Sequence, residues 1–307
     1  MITDSHGGGR QTSNETADKQ PDKTVRKMPL AAICTDLDDS VFQLYQKLIY
    51  NECRIFLKPA KKPLLVNRLL KRLRQLGIRD FNTYYTYLTE GPNRASEMQQ
   101  LINAITTNKT EFFREPRQWE FLKTHYWPEL QKSKASQREY SIRIWSSACS
   151  SGEEPYSLAM HALEHLGRAQ PWKIQILASD ISEKVLSLAR QGVYDAQRVA
   201  NVPADYLQKY FIPQGDRYVV KPEVRRLVTF RNVNLKGTMP RFLQPLDIIF
   251  CRNVIIYFDR ATQADLMHRF FSCLRIGGHL FLGHSESLSG ICDQYRFVSA
   301  SIYCREG

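Results

Sequence analysis

The chain has 307 residues, of which 43% are hydrophobic and 24% charged, enough for one large or two ordinary domains with buried cores. It contains no run of about 18 apolar residues, which excludes a membrane-spanning helix, and its first residues lack the apolar core of a signal peptide, so the cytoplasm is the expected compartment. Net charge is +12, which implies an acidic macromolecular partner, either nucleic acid or an acidic protein surface.

In chain order, residues 1–30 are polar, Gly-rich and free of aromatics, and are expected to form a disordered tail. Residues 31–106 read as a small all-helical domain. Within it "LLVNRLLKRLRQLGI" places Leu65, Leu69, Leu73 and Leu76 on one stripe, and Gly77 stops the helix. Lys58, Lys61, Lys62, Arg68, Lys71, Arg72 and Arg74 lie within seventeen residues, and several of them are expected to face solvent together. "EMQQLINAITT" is a second amphipathic helix. Residues 107–140 read as a linker and a cofactor-contacting helix, with the polar "KSKASQRE" (132–139) as a loop.

From residue 141 to 307 the texture changes. "IRIWSSA", "IQILASD", "LDIIFC" and "GHLFLG" are short β-rich runs, and helical patterns lie between them. This alternation predicts a doubly wound, mostly parallel sheet covered on both faces. The terminal "YRFVSASIYCRE" alternates as a strand that could close the sheet antiparallel. An insertion at about 209–232, rich in strand and turn residues, is expected to form a small antiparallel subdomain. The seven cysteines are scattered, with no CxxC pair, and read as reduced, mostly buried thiols. His161 and His165 share a helix face without the HExxH spacing. They read as helix surface, and no metal site is expected.

The stretch "IWSSACSSGEEPYSLAM" is a strand, a small-residue turn and a helix start, where doubly wound domains hold their ligands. It has one glycine, Gly152, instead of G-x-G-x-x-G, and two acids, Glu153 and Glu154, at the helix entrance. The acids would repel a phosphate and attract a cation, although they also suit the helix dipole. The next strand ends in Asp180, placed for ribose hydroxyls, with Ser182 as a helix N-cap. Adenosine with a cationic, phosphate-free tail, as in S-adenosylmethionine (AdoMet), fits both acids.

Together "TNKTEFFREPRQWEFL", "SSGEEPYS", "ASDIS", "NVNL", "IFCRNVIIYFDR" and "GHSESL", in this order, resemble the CheR chemotaxis-receptor methyltransferases from about Val41 to Tyr303. The resemblance implies an AdoMet-dependent protein-glutamate O-methyltransferase, with S-adenosylhomocysteine as product. It implies methyl transfer to glutamates in the acidic, helical cytoplasmic bundle of chemoreceptors. It carries cofactor contacts onto Asn108, Thr110, Arg114, a glutamate of the Glu153–Glu154 pair (with Glu154 favoured), Asp180, Asn234, Leu235, Arg252 and Asn253. Arg114 and Tyr257 correspond to the residues nearest the reacting methyl. The basic helical domain would then recognise the receptor, and a monomer without membrane insertion is expected. The turn "IPQGDR" lacks the longer Gly-rich loop of family members that grip a receptor C-terminal peptide, a departure that counts against such tethering here. A nucleic-acid methyltransferase is the rival reading. Amino-methylating enzymes of that class place Asn/Asp-Pro-Pro-aromatic after the fourth strand to hold a flipped base. This chain has "RNVIIYF" there, without the prolines, and no nucleic-acid partner is expected.

Overall fold

The computed structural model describes residues 34–166 and 172–307, so the tail expected at residues 1–30 lies outside the described residues. Four helices open the described chain: α1 (Asp39–Cys53), α2 (Lys62–Leu76), α3 (Phe81–Glu90) and α4 (Arg94–Ile105). Leu65, Leu69 and Leu73 of α2 pack with Tyr45, Ile49, Tyr84, Leu88 and Leu101 in one apolar core. Gly77 ends α2 in the left-handed conformation at φ 68°, and the Asp80 side chain caps α3.

Several of the basic residues expected to face solvent together do so, but Arg68 and Arg72 do not. Arg72 makes a two-pronged ion pair with Glu97 of α4, at 2.8 and 2.5 Å, and Glu97 is only 3% exposed. The Tyr84 hydroxyl donates to the same carboxylate. Arg68 donates to the carbonyls of Ile105 and Thr106 and to Thr107 Oγ1. These two arginines hold the helices together, because each stem runs over the helix-helix seam and its head meets an acceptor there. Lys58, Lys61, Lys71 and Arg74 remain exposed.

Next comes one continuous helical run: α5 (Pro116–Phe121), a π-turn at Leu122–Tyr126 and α6 (Trp127–Ser136). The segment expected as a polar loop at 132–139 is therefore helical as far as Ser136. Lys134 is buried and paired with Glu139 and with Asp247, a carboxylate fully enclosed in the sheet.

The main sheet has seven strands: β1 (Ser141–Ser146), β2 (Lys173–Asp180), β6 (Val228–Asn232), β7 (Leu246–Cys251), β8 (Leu274–Leu282), β9 (Tyr295–Ser299) and β10 (Ile302–Arg305). Their order is β6-β2-β1-β7-β8-β10-β9. The first five are parallel, β10 runs antiparallel to β8, and β9 folds back on β10. Helices α7 (Glu153–His165), α8 (Glu183–Gln191) and α11 (Arg260–Cys273) provide crossovers. From β1 the strand order leads outward through β2 on one side and through β7 on the other, so the crevice beyond β1 is the topological switch point.

The small sheet, β3 (Val193–Asp195), β5 (Arg217–Val220) and β4 (Phe211–Gln214), is antiparallel. Its limits differ from the expected 209–232. It recruits a strand at 193–195, and the run "VTFRN" is β6 of the main sheet. Between them lie α9 (Ala204–Tyr210), before β4, and α10 (Pro222–Arg225), before β6. All seven cysteines are free thiols. No helix among the described residues is long and apolar enough to cross a membrane.

His161 is not on the surface as expected but 5% exposed, where its Nδ1 accepts the Trp127 indole N–H at 2.8 Å. Burial pushes its ring down to about 3, and burial likewise lowers His279 to about 4. The folded chain thus refuses two protons that the unfolded chain takes up below about pH 6.5. The sign follows: stability is unaffected above that pH and is lost as pH falls toward the folded values. Between pH 6 and 5 the unfolding free energy should drop by about 2 kcal/mol from these rings. Urea titrations of the parent and of His161→Gln should show roughly half of that slope removed in the variant.

Candidate active site

A cavity of about 520 Å³ opens at the C-terminal ends of β1, β2 and β7 and is roofed by the helical domain. Its walls contain Asn108, Thr110, Arg114, Glu154, Asp180, Asn234, Leu235, Arg252, Asn253 and Tyr257. Glu153 is not among them.

The turn after β1 is held from both neighbouring strands. Ser147 N donates to Phe250 O at 2.9 Å and Cys149 N to Ser179 O at 2.8 Å. Asp180, at the end of β2, accepts Ser150 N on one oxygen and Ser182 N on the other, each at 2.9 Å. Burial raises its pKa against the opposing pull of these N–H groups. Such a carboxyl gains from any ligand that donates to it, because a donor restores part of what desolvation removed. Gly152 adopts φ +97°, and a Cβ there would lie 2.9 Å from the Tyr194 hydroxyl and from Ala189 Cβ. The glycine serves helix-sheet packing, so its presence does not signal a phosphate.

The two neighbouring glutamates have different fates. Glu154 faces the cavity and accepts Ser146 Oγ at 2.6 Å and Arg252 Nε at 2.8 Å. Glu153, 1% exposed, turns the other way and bonds Ser151 Oγ and Arg198. Of the pair, then, it is Glu154, the one the resemblance favoured, that lines the cavity, and Glu153 does not. Neighbouring residues on a helix point about 100° apart, and Arg198 holds Glu153 on the far side.

Arg252 is buried within the wall. Besides Glu154, its guanidinium donates to Arg114 O at 2.8 Å and Gln118 Oε1 at 3.2 Å. It thereby joins the end of β7 to α7 and to the segment that carries Arg114. Asn253 follows in the left-handed region at φ 57°, and its N–H is taken by Glu286 at 2.9 Å. Glu286 also accepts Gly283 N and Ile256 N. Gly283 is needed there, since a Cβ would lie 2.5 Å from Asn253 Nδ2.

Tyr257 ends the short 3-10 turn Ile255–Tyr257. Its carbonyl accepts Phe56 N at 2.8 Å, and its hydroxyl makes no hydrogen bond among the described residues. Arg114 is half-buried, with Nη1 on Lys109 O at 3.1 Å. Asn108 O accepts Ser150 Oγ. Asn234 Nδ2 donates to Glu52 O at the end of α1, at 2.7 Å, and so fastens the apolar wall of Val233 and Leu235 to the helical domain. Phe56, Leu64 and Ile256, all unusually exposed, rim the mouth together with Lys58 and Lys61.

Sequence reasoning did not single out Glu286, Gln118 or Ser150. The signal for Glu286 was present in "GHSESL": an acid three residues past a strand-ending glycine is placed to collect turn N–H groups. Gln118 and Ser150 carry no local signal.

The donor set fits AdoMet. Asp180 has lone pairs for hydroxyl donors, Glu154 is a carboxylate at the same end, and Val233, Leu235 and Ile181 form apolar walls for a flat base. The turn at 147–152 holds no lysine and no bare N–H cradle for a pyrophosphate, since Ser147 N, Cys149 N and Ser150 N are already taken. Among the described residues no cluster suited to a metal ion is present.

Comparison with known proteins agrees with this geometry. The family model described as "CheR methyltransferase, SAM binding domain" matches residues 108–304, and "CheR methyltransferase, all-alpha domain" matches residues 40–106. The chain is 39% identical over 271 residues to a chemotaxis protein methyltransferase of Salmonella typhimurium, covering 87% of this chain and 90% of that one. It is 40% identical over 268 residues to chemotaxis protein methyltransferase 2 of Pseudomonas aeruginosa, covering 85% and 91%. A probable chemotaxis protein methyltransferase of Rhizobium etli is 40% identical over 248 residues, covering 79% and 91%.

Proposed function

The chain belongs to the CheR methyltransferase family, and from that premise we propose that it methylates glutamate side chains on the acidic cytoplasmic bundle of a chemoreceptor, giving glutamyl methyl esters. The observation that carries this reading is that one cavity is lined together by the buried acids Asp180 and Glu154, by Arg114 and Tyr257, and by Lys58, Lys61 and exposed apolar side chains.

When bound, AdoMet supplies a methyl group activated by its sulfonium. The acceptor carboxylate is ionised at neutral pH, with an ordinary pKa of about 4.3, so the reaction asks no general base of the chain. Asp180 and Glu154 bind the cofactor's donors, and the Val233–Leu235 wall covers its base. Arg114 orients a carboxylate by charge, while the Tyr257 hydroxyl, free to donate, fixes the direction of approach. Phe56, Leu64 and Ile256 exclude water as an amphipathic substrate helix seats on the rim, and desolvation strengthens each polar contact inside.

Of the seven basic residues between 58 and 74, Lys58, Lys61, Lys71 and Arg74 are exposed and free to steer an acidic bundle. Single exposed pairs contribute about 0–1 kcal/mol, but several together raise encounter rates by about tenfold or more at low salt. Steering fades as the Debye length shrinks from about 10 Å at 0.1 M to about 3 Å at 1 M. Receptor methylation should therefore fall steeply with salt while AdoMet affinity barely moves, and Lys71→Glu with Arg74→Glu should reproduce the high-salt rate at low salt. Methylation by this double variant as fast as by the parent would make the face an ordinary solvated surface. Methylation of RNA in the same assay would favour the nucleic-acid reading.

A further inference from the structure

The turn Ser147–Gly152 has two sides. One lines the cavity. The other is held by the small sheet and the segment that follows β3. The Tyr194 hydroxyl donates to Ser151 O at 2.7 Å. Arg198 Nη1 donates to Ser151 Oγ at 3.0 Å and to Glu153 Oε1 at 2.9 Å. Ser151 Oγ in turn donates to the other oxygen of Glu153 at 2.8 Å. Among the described residues Arg198 is the only ion-pair partner of Glu153, a carboxylate 1% exposed. An enclosed carboxylate without its cation must take a proton or leave its site, and Glu153 is the residue before Glu154.

Arg198 is itself anchored on the small sheet. Its backbone N–H donates to Asp195 Oδ1 at 2.9 Å, and Asp195 stands opposite Arg217 in the backbone register of β3 and β5. Three residues on, Asn201 Nδ2 donates to Glu111 Oε2 at 3.1 Å. Glu111 lies between Thr110 and Arg114, which also line the cavity. Residues 195–201 thus touch two of the segments that carry its lining.

We propose that the Glu153–Arg198 pair makes the small sheet part of the cofactor grip: Arg198 is a positioning residue that sets cofactor affinity through Ser151 and Glu153 without touching the cavity. By linkage, the small sheet and the cofactor site stabilise one another, and anything that docks on the sheet and displaces Arg198 lowers cofactor affinity by the same factor by which the cofactor opposes docking.

This inference rests on the cavity being the AdoMet site, and the test separates the two. With the full chain, calorimetry measures S-adenosylhomocysteine affinity, and initial rates give kcat and the KM for AdoMet on receptor bundles. Arg198→Ala should raise both the dissociation constant and the KM for AdoMet by about tenfold or more. Its kcat at saturating AdoMet should stay close to the parent's, a split that general unfolding does not produce. Arg198→Lys should restore most of the affinity. Parent-like affinity in Arg198→Ala, a loss confined to kcat, or no rescue by lysine would overturn the proposal. If Arg198→Ala does not fold, Glu153→Gln/Arg198→Ala carries the test, since it leaves no enclosed charge unpaired. It should bind the cofactor more weakly than the parent, and equal affinity would overturn the proposal. A parent that fails to bind S-adenosylhomocysteine would instead remove the cavity reading.

Discussion

Replacing Asp180 with alanine is expected to weaken AdoMet binding by about 1.5–3 kcal/mol, the scale for groups left without their hydrogen-bond partner. The carboxylate has two duties. It accepts Ser150 N and Ser182 N, which fix the β1 turn against the start of α8, and its remaining lone pairs face the cavity. Alanine removes both. The Asp180→Asn variant keeps one acceptor for the backbone and loses the charge, so its affinity should lie between parent and alanine. Calorimetric titration with AdoMet checks the order. An unchanged dissociation constant in Asp180→Ala would place the cofactor elsewhere.

Arg252→Met should have the largest effect on stability. Its guanidinium is 2% exposed and holds Glu154 in an ion pair at 2.8 Å. It also holds Arg114 O and Gln118 Oε1. Removing one partner of an enclosed pair leaves the other charge uncompensated, at a cost of about 3–5 kcal/mol. Methionine fills much of the volume, so the loss reports charge more than cavity. Denaturant unfolding should show this drop, and Glu154→Gln combined with Arg252→Met should recover part of it, because the orphaned charge is then gone. Equal stability of the single variant and the parent would mean that Glu154 finds another cation.

Much of the architecture was legible locally. The strand-turn-helix at Ile144–Met160, the acid ending the second strand and Ser182 as the cap of α8 follow from patterns a few residues long, and the Ser182 side chain does accept Val185 N. The parallel order followed from strand-helix alternation. What escaped depends on tertiary partners. Periodicity put Arg68 and Arg72 opposite the leucine stripe, yet α4 and the segment after it cover that flank and supply Glu97 and the carbonyls of Ile105 and Thr106. The polarity of "KSKASQRE" hid an enclosed Lys134–Asp247 pair whose members are far apart in sequence. Which of Glu153 and Glu154 faces the cavity depends on Arg198, in the turn after β3, and on Arg252, at the end of β7, both far away in sequence. The run at 228–232 reads equally well as a strand of either sheet until β2 is seen beside it.

Everything proposed for the cavity converges on one chemical outcome, a methyl group ending on a glutamate carboxylate of a receptor. Transfer of labelled methyl from AdoMet to a purified receptor cytoplasmic fragment, followed by alkali treatment and peptide mapping, reads that outcome directly. The label should lie on glutamates of the helical bundle, be released as methanol in alkali because esters hydrolyse there, and vanish when those glutamates are replaced with alanine. Label that resists alkali, resides on nitrogen or on RNA, or survives loss of the glutamates would refute glutamate methylation.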